Sequence, residues 1–171
     1  MVLLHEDLIH RCLFAIVIDE TRIAFCIDVG GLDAWKLCAG SPDVIVAVLD
    51  GPVQYTHPDL AAAMWVNEAE LNGVEGVDDD GNKYVDDIYG YNFADDMGRI
   101  MWSANDSHGT HVAGIIAATS NNGKGIAGIA GGSGNGDGVR IFSSQIMSGN
   151  NTAGLQSIGR AIEYAADRGA S

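Results

Sequence analysis

Two side chains stand where elementary chemistry would put a proton-transfer pair. Asp50 closes the run DVIVAVLD, residues 43–50, and His108 lies at the start of SHGTHVAGIIAAT, residues 107–119. Ligands and catalysis in open α/β sheets sit beyond the carboxyl ends of strands, so a carboxylate there is well placed to work. An imidazole in the first turn of a helix faces the positive end of the helix dipole, which favours its neutral form. A neutral imidazole accepts a proton, and a carboxylate beside it orients the ring and stabilises the imidazolium formed in turnover. Taken alone, Asp50 reads as an N-cap or turn residue. The other histidines read as structural: His57 braces the turn that Pro58 fixes, and His111 follows His108 at three-residue spacing. A zinc-peptidase pair would need four-residue spacing, and Glu where Gly109 stands.

A second group of residues could hold a cation. In GVDDDGNKYVDDIYG, residues 76–90, Asp78, Asp80, Asn82, Tyr84 (through its carbonyl) and Asp86 alternate like the oxygen ligands of a calcium loop. The stretch is not an EF-hand, since Lys83 and Tyr89 occupy the positions that motif gives to Gly and Glu; the alternative is a solvated acidic loop. GKGIAG, residues 123–128, matches the dinucleotide pattern GxGxxG. That fingerprint must follow a strand and open a helix, whereas this match follows a helix. Two short glycosylation sequons begin at Asn105 and Asn150.

The elements that would carry these residues read as an alternation of strand and helix. DVIVAVLD has no polar alternation, the pattern of a strand covered on both faces in a parallel sheet. Residues 138–146, GVRIFSSQI, form a second such run, and IYGYNF a shorter one. Helices are predicted over Ser107–Thr119, with Ser107 or Asp106 as its cap, and over Thr152–Arg168. In the second, Leu155, Ile158, Ile162 and Ala165 fall on one face and Gly169 supplies the stop. Gly109, Ala113, Gly114, Ala117 and Ala118 let the first helix lie close to the sheet and so fix His108. The glycine-rich stretch 128–138 reads as a surface loop. The sum is an α/β layered fold with a parallel sheet.

Composition narrows the function. The chain has 171 residues, 47% of them hydrophobic, enough for a core in one domain or part of a larger one. A formal net charge of −14 argues against nucleic acid and anionic membrane surfaces as partners. No apolar run is long enough to span a bilayer. The first 32 residues carry no usable motif. They hold two strand-like runs and a weak signal-peptide candidate whose apolar core, Leu13–Ile18, is short and ends in acids. Cys12, Cys26 and Cys38 show no CxxC spacing.

Three stretches together resemble the subtilisin-like serine peptidases. VIVAVLDGPVQYTHPDL resembles the segment around their catalytic Asp, DSHGTHVAGIIAA the segment around their catalytic His, and NNGKGIAGIAGG the loop that follows. The resemblance covers about residues 33–171, leaving 1–32 as a leader. It implies a three-layer α/β fold with a mostly parallel sheet, subtilisin-like and incomplete at the C-terminus of this chain. It implies Asp50 as the triad carboxylate and His108 as general base. It places Ser148, Gly149 and Asn150 near the edge strand lining the substrate cleft, with polypeptides as substrates and an extracellular or cell-envelope location. A structural calcium role for the acidic insert is plausible in the same family. Two departures stand out. Gly51-Pro52 replaces the usual hydroxyl residue and glycine after the Asp, removing a hydroxyl that could hold the carboxylate. The serine nucleophile and oxyanion-hole Asn belong to motifs expected downstream of residue 171. The alternatives are a non-catalytic, calcium-stabilised binding module on the same fold and a metallohydrolase using His57, His108 and His111.

Overall fold

The structure, a computed structural model, describes residues 30–171. The leader's strand candidates, Cys12, Cys26 and the signal-peptide candidate lie outside the described residues. The first element is the short helix α1, Gly31–Trp35, whose Trp35 indole donates to the Ile129 carbonyl at 2.8 Å. The aliphatic run forms β1, Ile45–Asp50, in which every residue from Val46 onward is buried. A 3-10 turn at Ala61–Ala63 and helix α2, Glu68–Leu71, precede β2, Gly90–Asn92. Then come α3, His108–Ala117, and β3, Arg140–Gln145. The two-residue strands β4, Met147–Ser148, and β5, Asn151–Thr152, pair antiparallel, and α4, Leu155–Asp167, follows.

The three longer strands form a parallel sheet in the order β1-β3-β2. Register sets Asp50 opposite Gln145, and Gln145 opposite Asn92, so one edge of the sheet collects the strands' carboxyl ends. Absence of alternation in β1 is explained by its two covered faces. Val46, Val48 and Ile141 pack with Ala113 and Ala117 of α3. Ala47, Leu49 and Phe142 face the other way, onto Ala161, Tyr164 and Ala165 of α4. Helix, sheet and helix thus make three layers. The second interface is stiffened by edge-to-face contacts linking Tyr84, Tyr91, Phe93, Phe142 and Tyr164.

Helix α4 ends as its glycine requires. Gly169 takes φ +82°, its N–H bonds to the Ala166 carbonyl, and the Ala170 N–H reaches back to Ala165. That two-bond pattern is the Schellman stop. The chain then turns alongside β1: Ala170 bridges Ile45 in parallel, and Ser171 donates to the Ile45 carbonyl at 3.1 Å.

Several sequence expectations shift. The second helix starts at Leu155 rather than Thr152, because Thr152 pairs with Met147 in the hairpin. Leu155 does not join the buried face. It is 91% exposed, and Ile158, Ala161, Ile162, Tyr164 and Ala165 make the contact instead. The strand read from IYGYNF contracts to Gly90–Asn92. The glycine-rich stretch is a surface loop only over its second part, 133–137; Gly128–Gly132 is buried. There the N–H groups of Gly128, Ile129 and Ala130 bond to carbonyls of Ala118, Ile115 and Ile116 at 2.9 Å, satisfying the C-terminal end of α3. Glycines 123 to 128 lie in the loop between α3 and β3 and open no helix.

Candidate active site

Asp50 and His108 meet at the carboxyl edge of the sheet. The Asp50 Oδ1 lies 2.6 Å from His108 Nδ1 and accepts the N–H of Gly51 at 2.6 Å. The two side chains have opposite environments: that of Asp50 is 11% exposed, that of His108 70%. A carboxylate accepts hydrogen bonds and cannot donate them, so Nδ1 carries the proton and the neutral ring presents its lone pair at Nε2. The imidazole is thereby oriented from behind and accessible in front.

Backbone contact, rather than capping, aims the histidine. Ser107 occupies the N-cap position without a side-chain bond to the helix, and Asp106 turns away to accept the Gly149 N–H at 3.2 Å, so neither expected cap forms. Instead the first turn of α3 rests on the segment after Asp50. A Cβ on Gly109 would lie 2.1 Å from the Gly51 carbonyl oxygen, a contact only glycine permits. Thr110 Oγ1 accepts the Gln54 N–H at 2.9 Å and faces the Pro52 carbonyl at 3.3 Å. Strand end and helix start are therefore fastened at three points within a few residues. The backbone N–H of Gly51 also holds the Asp50 carboxylate.

Ser148 lies in β4, and Gly149 and Asn150 form the exposed turn between β4 and β5. The turn is tied back by Asn151 Nδ2, which donates to the Ala94 carbonyl at 2.7 Å, and by Gln145, whose side chain donates to the Met147 carbonyl at 2.9 Å. His57 Nδ1 accepts the Asp59 N–H at 3.2 Å inside its turn, and His111 is exposed. Among the described residues the one group of three potential metal-binding side chains excludes histidine, so His57, His108 and His111 do not converge.

That group is Glu70, Asp80 and Asp87, with carboxylate oxygens within 4.8 Å of one another. Of the five residues singled out in the acidic loop, only Asp80 belongs to it. The Asp78 carboxylate accepts the N–H groups of Asn82 and Lys83, and that of Asp86 accepts the Gly76 N–H. Asn82 donates its amide to Asp87 at 3.0 Å and accepts the Tyr84 N–H, while the Tyr84 ring packs into the aromatic cluster. Glu70, from α2, was not legible from the spacing. It is 4% exposed and accepts the N–H groups of Asp79, Asp80 and Asp86. Asp87 is fully buried; desolvation raises its carboxyl above the usual range, opposed by hydrogen bonds from Tyr164, Asn67 and Asn82. Burial also pushes Asp80 upward, but hydrogen bonds from Arg168, Asn67 and Asn82 outweigh it and hold the group below its ordinary value. The Arg168 guanidinium sits 2.7 Å from Asp80. Three carboxylates against one guanidinium leave two negative charges, and an all-oxygen donor set suits a hard divalent cation.

A model of the subtilase family, peptidase S8, matches residues 41–171. The chain belongs to the subtilase family. Its relatives include the subtilisin-like protease 1 of Plasmodium vivax, 50% identical over 86 residues, which are 50% of this chain and 13% of that protein. Halolysin of Haloferax mediterranei is 35% identical over 137 residues, 80% of this chain and 21% of the halolysin. The thermophilic serine proteinase of Bacillus sp. (strain AK1) is 39% identical over 137 residues, 80% of this chain and 26% of that enzyme. The matched segment thus spans about a quarter or less of these relatives' lengths. In fold, the subtilase segment resembles the crystal structure of a lanthipeptide protease with a TM-score of 0.51 at 22% identity, over 81% of this chain and 30% of the other.

Proposed function

We propose that this segment supplies the carboxylate and the general base of a serine-type endopeptidase. Asp50 orients the ring through Nδ1. His108 Nε2 takes the proton of a serine hydroxyl as that oxygen attacks a peptide carbonyl, then returns it to the leaving amine. The observation that carries the reading is the 2.6 Å contact between Asp50 and the outward-facing His108. Among the described residues no hydroxyl hydrogen-bonds His108. The nucleophile and the oxyanion Asn are assigned to the downstream part of the family's catalytic domain, with residues 33–171 as its N-terminal part and 1–32 as a leader. Ser148, Gly149 and Asn150 would line the cleft for an extended polypeptide substrate. An extracellular site of action is supported by a relative named as an extracellular serine protease, from Natrialba magadii. No helix among the described residues is long and apolar enough to cross a membrane.

The test is covalent labelling by a fluorophosphonate serine probe of the protein carrying this segment together with the family's downstream half. Labelling that disappears in His108→Ala supports the reading. Absence of labelling in the folded parent favours a binding module on the same fold.

We infer further that Glu70, Asp80 and Asp87 hold a structural calcium ion. Bound there, the cation would neutralise the charge left over by Arg168 and tie α2 to the acidic loop. A ligand at a hundredfold over its Kd raises stability by about 2.7 kcal/mol. Melting with calcium and with chelator should therefore differ, and Glu70→Gln should shrink the difference. Equal shifts in parent and variant would remove the site.

A further inference from the structure

Gly51 and Asp106 are the two residues near the candidate site whose roles remain open. Gly51 stands where the family resemblance leads one to expect a hydroxyl residue, and Asp106 does not cap α3 as the sequence suggested. The structure brings the two together. A Cβ built on Gly51 would lie 2.9 Å from Asp106 Oδ1, inside the distance side-chain carbons tolerate. The Asp106 carboxylate thus lies directly beside the Gly51 backbone, and a Cβ there would ask of it only a small shift. From there its other oxygen, Oδ2, accepts the N–H of Gly149 at 3.2 Å. Gly149 has φ +57° and sits at the tip of the β4–β5 turn. The hairpin contributes only two residue pairs, Met147–Thr152 and Ser148–Asn151, far too few to hold a turn by itself. Its other ties, from Asn151 to Ala94 and Asp95, from Ser148 to Asp95 and from Gln145 to Met147, hold the base and the two strands. Asp106 holds the tip, and it stands two residues before His108.

We propose that Asp106 is a positioning residue, a latch that fixes the β4–β5 turn against the start of the histidine helix. The proposal rests on the reading of this edge as the substrate cleft. On that reading the latch sets the distance between the general base and the strand along which a substrate would lie.

Amide hydrogen exchange on the 171-residue chain tests this without any turnover, so it stands or falls separately from the peptidase reading. Asp106→Ala should speed exchange of the Gly149 amide by about tenfold, as expected for losing a hydrogen bond to a charged acceptor. Amides of Val48 and Phe142 in the sheet should be unchanged. Asp106→Asn keeps an acceptor oxygen and should restore protection at Gly149. Unchanged exchange at Gly149 in Asp106→Ala overturns the latch. So does a rise shared equally by Val48 and Phe142, which would make Asp106 a general stabiliser.

Discussion

In an ordinary helix, replacing glycine by alanine stabilises by about 1 kcal/mol. At Gly109 the sign should reverse. The added Cβ would lie 2.1 Å from the Gly51 carbonyl oxygen, 2.7 Å from the Gly51 carbonyl carbon and 2.9 Å from the Pro52 carbonyl oxygen. All three are backbone atoms, so no side chain can swing aside. Restoring a 3.0 Å approach needs a movement of roughly 0.9 Å between the start of α3 and the segment after β1. The hydrogen bond from His108 to Asp50, now 2.6 Å, would stretch past the useful range if the helix moved away along that line. Overpacking costs about 1–3 kcal/mol and loss of a hydrogen bond to a charged group about 1.5–3 kcal/mol. Exposure of His108 puts the second figure at its lower end. Against a propensity gain of about 1 kcal/mol, the net loss should be about 1.5–3.5 kcal/mol. Urea unfolding of parent and Gly109→Ala reads this directly. A variant as stable as the parent, with the His108 imidazole still hydrogen-bonded, would refute the claim that backbone contact aims the histidine.

Other predictions follow from groups away from that contact. Ser144 is fully buried and its hydroxyl has no partner, so Ser144→Ala should leave stability unchanged or raise it by up to about 1 kcal/mol in thermal unfolding. Burial, with Asp96 nearby, pushes Tyr91 up to about 12. The native state then keeps a proton that the unfolded state gives up near 10, so stability is intact below the unfolded value and falls as pH rises toward the folded one. Tyr91→Phe should flatten that alkaline loss, read by unfolding at pH values between the two. Asp80 behaves oppositely, its carboxyl being held low through Arg168, Asn67 and Asn82. Its contribution is present above the ordinary carboxylate value and is lost as pH falls through the lowered one; Arg168→Met should weaken that acid dependence.

Legibility in the sequence tracked how local each signal was. Asp50 and His108 could be found because a strand end and a helix start are written in neighbouring residues. Their meeting 58 positions apart needed the resemblance or the structure. A layered α/β fold with a parallel sheet was legible from the uninterrupted apolar strand and the small-residue helix, and the family resemblance implied three layers. The acidic cluster was half legible: alternation pointed to Asp80, but Glu70 comes from another helix and Asp87 falls out of step with the alternating set. Leu155 shows the limit of periodicity, since a helical stripe does not say which of its positions the fold covers. The glycine-rich residues 128 to 132 misled for the opposite reason. Their composition reads as solvent-exposed, yet glycine is what allows backbone to cover the carbonyls that end α3. Neither Ser107 nor Asp106 could be judged as a cap from residue type alone, because Asp106 has a partner 43 residues away.

The central claim is that Asp50 and His108 form one oriented unit with a basic nitrogen turned outward. Nitrogen-15 NMR of the histidine ring reads it on this chain. The account predicts that the neutral His108 carries its proton on Nδ1, with a strongly downfield Nδ1 proton that vanishes in Asp50→Ala. A His108 ring protonated mainly on Nε2 when neutral, with a spectrum indifferent to Asp50→Ala, would contradict it.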